Sequence, residues 1–143
     1  MKNIVMTQEN KELLIKDLSC RILYGAIVNV NGISNVKLTS VSWYGEVGVD
    51  DGSTYLYPIS EIKPYLFPIS SMTKEDIYQI QDVLGEDFEI DKYGITDLIR
   101  NRRTSLSYLE LDALFDWFDK NHFDYRGLIE KGLAIDATGL NIY

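Results

Sequence analysis

The sequence predicts an α+β fold, with an N-terminal helix, a small antiparallel four-stranded SH3-like barrel or curled sheet, and a C-terminal mainly helical half. Three observations carry this. Apolar side chains recur at helical spacing from Glu9 to Leu23 and again from Leu106 to Asn121. Between them, short runs rich in β-branched and aromatic residues fill Ala26 to Ile59. Asn31-Gly32, Tyr44-Gly45 and Asp51-Gly52 divide those runs as tight turns do. The expected division places the helix and β unit in residues 1–68 and the helical half in 69–143, packed as one compact unit.

Taken in order, the first helix carries Leu13, Leu14, Asp17, Leu18 and Arg21 on one stripe, with Thr7 or Asn10 as N-cap and Gly25 as its stop. Four strands follow, over Ala26–Val30, Lys37–Trp43, Glu46–Val49 and Thr54–Ile59. Pro64 and Pro68 bracket Tyr65-Leu66-Phe67, which reads as an extended connector after a single helical turn. Ser71, or Thr73 with Asp76, opens a helix over Lys74–Leu84 that Gly85 ends. Alternation in Glu86–Tyr93 reads as an edge strand, and Ile95–Thr104 fits either a short helix or a strand pairing with it. The helix from Leu106 to Asn121, capped by Ser105, gathers Asp112, Asp116 and Asp119 in a polar stripe. Gly127, Gly132 and Gly139 mark a folded-back tail.

Charge is distributed unevenly. The chain of 143 residues has a net charge of −8. Residues 1–72 hold six basic and seven acidic side chains, a net of −1, and residues 73–143 hold eight and fifteen, a net of −7. Nucleic-acid affinity rests on cations that neutralise phosphates, so a general DNA or RNA binder is not expected. Cys20 is the lone cysteine, which excludes an intrachain disulfide and favours a reducing compartment. Neither a signal-like leader nor a run of membrane length occurs, so the expectation is a cytoplasmic protein without membrane contact.

Motifs for chemistry are weak. Asp87, Glu89 and Asp91 begin like a calcium loop, but Lys92 and Leu98 stand where glycine and glutamate belong. Gly45, Gly48 and Gly52 lack the spacing and the following lysine of a phosphate loop. No metal or cofactor is expected. Glu110 falls opposite the polar stripe of its helix, so a buried ion pair with Arg126, or with Arg100, Arg102 or Arg103, is expected. The sole histidine, His122, stands at the end of that helix, where its imidazolium would cap the carbonyl end. Trp43, Tyr44, Tyr55, Tyr57 and Tyr65 around the β unit form a candidate binding surface.

Two stretches are also familiar. Ile62-Lys63-Pro64-Tyr65-Leu66 with Pro68 and Ser70 to Thr73 is the first. Phe115-Asp116-Trp117 with Asn121 to Ile129 and Gly132-Leu133-Ala134 is the second. Together they resemble an uncharacterised family of short proteins of gut Bacteroidetes and their phages or integrated elements. The resemblance covers about half the chain, and departs from that family at Phe67, where arginine is expected, and after Ala137. It implies an accessory protein of a phage or mobile element and transfers no functional residues.

The leading expectation is therefore a noncatalytic protein that binds a protein or peptide through the β unit. An acidic inhibitor or nucleic-acid mimic is the alternative, and an enzyme using Glu110 and His122 the third reading.

Overall fold

Local signals set most of the element boundaries. The computed structural model describes residues 6–32, 34–85, 92–101 and 106–143. Helix α1 spans Gln8–Arg21, with the Thr7 hydroxyl accepting from Asn10 N at 3.1 Å; one 3-10 turn then leads to Gly25 at φ 70°. Strands β1 (Ile27–Val30), β2 (Ser34–Val41) and β3 (Glu46–Val49) form a meander. Asn31 and Gly32 both take positive φ between β1 and β2, as the sequence predicts for a tight hairpin. The fourth strand, β4, is shorter than expected and keeps only Tyr57–Pro58.

The Pro64–Pro68 segment, expected as a connector, instead belongs to strand β5 (Ile62–Pro68), and the helical turn before it is confined to Ile59–Glu61. This strand runs antiparallel to β1, and Pro64 stands opposite Val28 at the end of their ladder, a place where a missing N–H is tolerated. Helices α2 (Lys74–Leu84), α3 (Lys92–Asn101) and α4 (Tyr108–Lys120) follow. Thr73 and Asp76 close a reciprocal capping box on α2, as predicted. The α3 helix resolves the ambiguity over residues 95–101 in favour of a helix; the edge strand expected over Glu86–Tyr93 lies mostly outside the described residues, and Lys92 and Tyr93 belong to α3. The N-cap of α4 is Ser107, not Ser105, because Glu110 three positions on completes a capping box.

Two short strands, β6 (Phe123–Asp124) and β7 (Ile135–Asp136), pair with β5 in parallel. Seven described strands share one sheet in the order β4-β3-β2-β1-β5-β6, with β7 also on β5. No ladder among the described residues joins β4 to the far end, so the sheet is open, not a closed barrel.

Apolar side chains collect in two clusters. The first joins Leu14 and Leu18 of α1 to Val28, Leu38, Val47, Ile62 and Leu66 of the sheet. Ile80, Ile95, Leu114, Phe118 and Phe123 fill the second. Strand β5 lies at the boundary, with Ile62 and Leu66 in the first cluster and Phe67 packed on the second. Leu128, Leu133 and Ala134 from the later half complete the first cluster. The two halves thus interlock. Among the described residues no helix is long and apolar enough to cross a membrane.

Candidate functional site

The outer end of the sheet presents the aromatic residues. Between β2 and β3 the chain reverses at Ser42–Gly45, where Gly45 N donates to Ser42 O and Ser42 Oγ accepts from Glu46 N at 2.8 Å. Gly45 has φ 93°, and a Cβ there would come within 2.7 Å of Cε of Lys11 and 3.2 Å of Ile59. The positive φ calls for glycine, and an added Cβ would also displace the end of Lys11 and press on Ile59. The turn so held projects Trp43, 86% exposed, and Tyr44 in an edge-to-face pair at 5.4 Å.

A second pair stands at the start of β4. Tyr55, 61% exposed, meets Tyr57 edge to face at 4.7 Å. The Tyr57 hydroxyl donates to Asp51 Oδ2 at 2.7 Å, and Asp51 Oδ1 accepts from both N and Oγ of Ser53. The Ser53 hydroxyl and then the Tyr57 hydroxyl hold the Asp51 carboxyl below its usual range, and the same bond to Asp51 raises the Tyr57 phenol. Leu56, also exposed, folds over Gly48, where a Cβ would meet Ser40 Oγ at 2.3 Å. Tyr65 does not belong to this surface: it is buried, and its hydroxyl bonds Asn35 and, at 3.2 Å, Asn29.

At the junction of the two clusters lies a buried charge network. Arg21 and Asp17, four apart on α1, are both fully buried and pair at 3.0 Å. Arg21 also donates to the carbonyl of Phe123 at 2.6 Å and of Phe118 at 3.4 Å. Arg126 pairs with the other Asp17 oxygen at 2.7 Å, and both guanidiniums stand 3.9 Å from Asp119. The Tyr125 ring lies against both arginines and its hydroxyl donates to Asp119 at 2.9 Å. Burial lifts the Asp119 pKa, which the Tyr125 bond and the two guanidiniums only partly offset. Burial, the largest single influence, would lower the Arg126 pKa, but the charge and hydrogen bond of Asp17 together with Tyr125 and Cys20 outweigh it and raise it. Two cations face two anions, and the network is internally neutral.

The expected Glu110–Arg126 pair therefore does not form. The Glu110 carboxylate accepts from Ser107 N at 3.0 Å in the capping box, and that backbone bond lowers its pKa. Ser107-Tyr108-Leu109-Glu110 is a capping-box pattern in the sequence itself, the signal that would have placed both residues. His122 is not a charged cap either. It follows the C-cap Asn121 with φ 64°, is buried, and stacks face to face on Tyr143 at 3.5 Å with Nδ1 unpartnered. Desolvation, with Arg21 nearby, lowers its pKa to about 4. Glu110 lies in the first turn of α4 and His122 beyond its C-cap, so the length of the helix separates them.

Comparison with protein-family models, curated proteins and solved structures returns no match. The geometry must carry the functional reading.

The acidic stripe of α4 is partly occupied: Asp119 belongs to the charge network and Asp116 accepts from the Tyr24 hydroxyl, while Asp112 is exposed. These residues and Lys16, Cys20 and Arg126 line an open cleft of about 780 Å³ beside α1. Cys20 Sγ sits 3.5 Å from Arg126. Of the expected basic cluster, Arg100 lies on α3, and Arg102 and Arg103 fall outside the described residues. The calcium-like run over residues 87–91 falls outside them too.

Proposed function

We propose that the chain is a noncatalytic protein-binding module that engages its partner through Trp43, Tyr44, Tyr55 and Leu56, in the accessory role that the family resemblance implies. The observation that supports the reading most is Trp43 itself, a large ring 86% exposed on a turn in which Gly45 takes φ 93°. Its position adds almost nothing to the core, and aromatic side chains are enriched where proteins meet. The buried charges, by contrast, satisfy one another, and the acidic stripe of α4 is partly occupied within the fold, through Asp119 and Asp116. That weakens the inhibitor or mimic alternative without removing it.

Affinity capture from a Bacteroidetes lysate at low and high salt tests the reading. The expected result is a partner that resists salt and is lost from a Trp43→Ser, Tyr55→Ser variant of unchanged melting temperature. Capture that survives the double substitution yet collapses as salt screens the surface charges overturns it in favour of the acidic mimic.

A further inference from the structure

We infer that the occupant of this surface is a basic segment of a partner protein, with lysine or arginine side chains laid across Tyr55 and Trp43 and their cationic heads among Asp50, Asp51 and Glu61. The inference rests on the binding role proposed above and names the partner's chemistry.

The local charge is one-sided. Between Lys37 and Lys63 the chain carries Glu46, Asp50, Asp51 and Glu61, and no lysine or arginine. The four ion pairs recorded among the described residues all belong to the Asp17–Arg21–Asp119–Arg126 network. None reaches the β2–β4 end. Lys11 is the neighbouring cation from outside this stretch: its Cε and ammonium Nζ lie against Gly45, at the Trp43–Tyr44 turn, and no ion pair is recorded between it and Asp50, Asp51 or Glu61.

Aromatic rings and carboxylates converge there. Asp51 is bound to the Tyr57 hydroxyl and so stands beside the Tyr55–Tyr57 pair, and Glu61 ends the single turn Ile59–Glu61 that follows β4. The bonds from Ser53 and Tyr57 fix Asp51 in place in its ionised form. An exposed ring face is itself electronegative and attracts a cation, and a fixed carboxylate beside it adds a full charge of the same sign. Guanidinium suits this arrangement best, because it stacks on a ring and offers its edge to a carboxylate at once. Nucleic acid and acidic partners are repelled by the same features.

The test uses the full chain and a dye-labelled peptide of repeated Gly-Arg-Pro, followed by fluorescence anisotropy at about 0.1 M salt. The Asp51→Asn, Glu61→Gln pair is compared with a remote exposed pair, Glu75→Gln, Glu130→Gln, that removes the same number of charges. We expect the patch pair to weaken binding about tenfold and the remote pair less than about twofold. Tyr55→Ala, which removes an exposed ring, should weaken binding at unchanged melting temperature. This keeps the test valid should Asp51→Asn disturb the loop. Equal losses from the two pairs, or equal binding of a Gly-Glu-Pro peptide, overturn the inference. Should the peptide fail to bind while Trp43-dependent capture persists, the basic partner is wrong and the binding surface stands; should capture also be independent of Trp43, the surface itself is wrong.

Discussion

Lowering the pH from about 7 to about 5 should destabilise the fold through one side chain. His122 is the sole histidine, and its ring is pressed against Tyr143 with Nδ1 lacking a partner. Desolvation opposes the imidazolium, and the buried Arg21 guanidinium repels it, so the folded pKa falls from 6.5 to about 4. The unfolded chain therefore takes up its proton before the native state does. Stability is fully present above the unfolded value and is lost as pH falls toward the folded one. Proton uptake integrated from about pH 7 to about pH 5 gives a loss of about 2 kcal/mol, reduced toward about 1.5 by the water that still reaches the ring edge. Asp119 works in the opposite sense, since its raised pKa lets the native state bind a proton first, but from its ordinary 3.8 that effect is weighted to the acid end of the range. Urea unfolding in steps across this window is the assay, with His122→Asn as control, because asparagine tolerates the positive φ and does not titrate. A flat wild-type profile, or an equal slope in His122→Asn, would refute the argument.

Three further outcomes follow from the packing. Asp17→Ala leaves Arg21 and Arg126 facing each other in a buried site, and should cost about 3–5 kcal/mol in urea unfolding, whereas a loss below about 1 kcal/mol contradicts the network. Gly48→Ala drives a methyl group toward Ser40 Oγ and should cost about 1–3 kcal/mol, part of which Ser40→Ala restores in a double-mutant cycle. Ser107→Ala should cost about 1 kcal/mol through the lost cap, and Glu110→Ala should lower the melting temperature far less than Asp17→Ala. A Glu110 effect as large as that of Asp17 would restore the buried-pair expectation.

What was legible in the sequence depended on the range of the interaction. The Thr73–Asp76 capping box, the Asn31-Gly32 turn and the α1 stripe are local, and each stands where residue chemistry predicts it. Strand β5 was hidden because two prolines suggest a connector, yet Pro64 sits at the end of a ladder where its missing N–H is harmless. The partner of Arg126 lies 109 residues away, and no spacing rule chooses Asp17 over Glu110. Asp17 and Arg21 did show themselves as polar residues on an apolar stripe, a placement that calls for buried partners without saying which. For the candidate surface, Trp43 and Tyr44 follow from the turn before Gly45, whereas Tyr65 falls inside because its strand is central.

The charge network and the aromatic end stand in physical contrast, and the contrast bears on function. Burying two arginines and two aspartates adds little net stability compared with apolar packing of the same volume. What it does supply is orientation: Arg21 on α1 must meet the carbonyls of Phe118 and Phe123 and the Asp119 carboxylate together, which ties α1 to the end of α4 and to β6 in a single geometry. The first core rests on that same helix through Leu14 and Leu18, so the sheet is held from behind. If the proposed binding role holds, Trp43 and Tyr55 present their rings from a sheet that is braced in this way, each ring paired edge to face with a neighbour. Such preorganisation lowers the ordering cost of association. Loosening the network by Asp17→Asn should therefore weaken binding at the aromatic surface even where the fold survives, and unchanged affinity in a folded Asp17→Asn variant would show that the two ends of the molecule act independently.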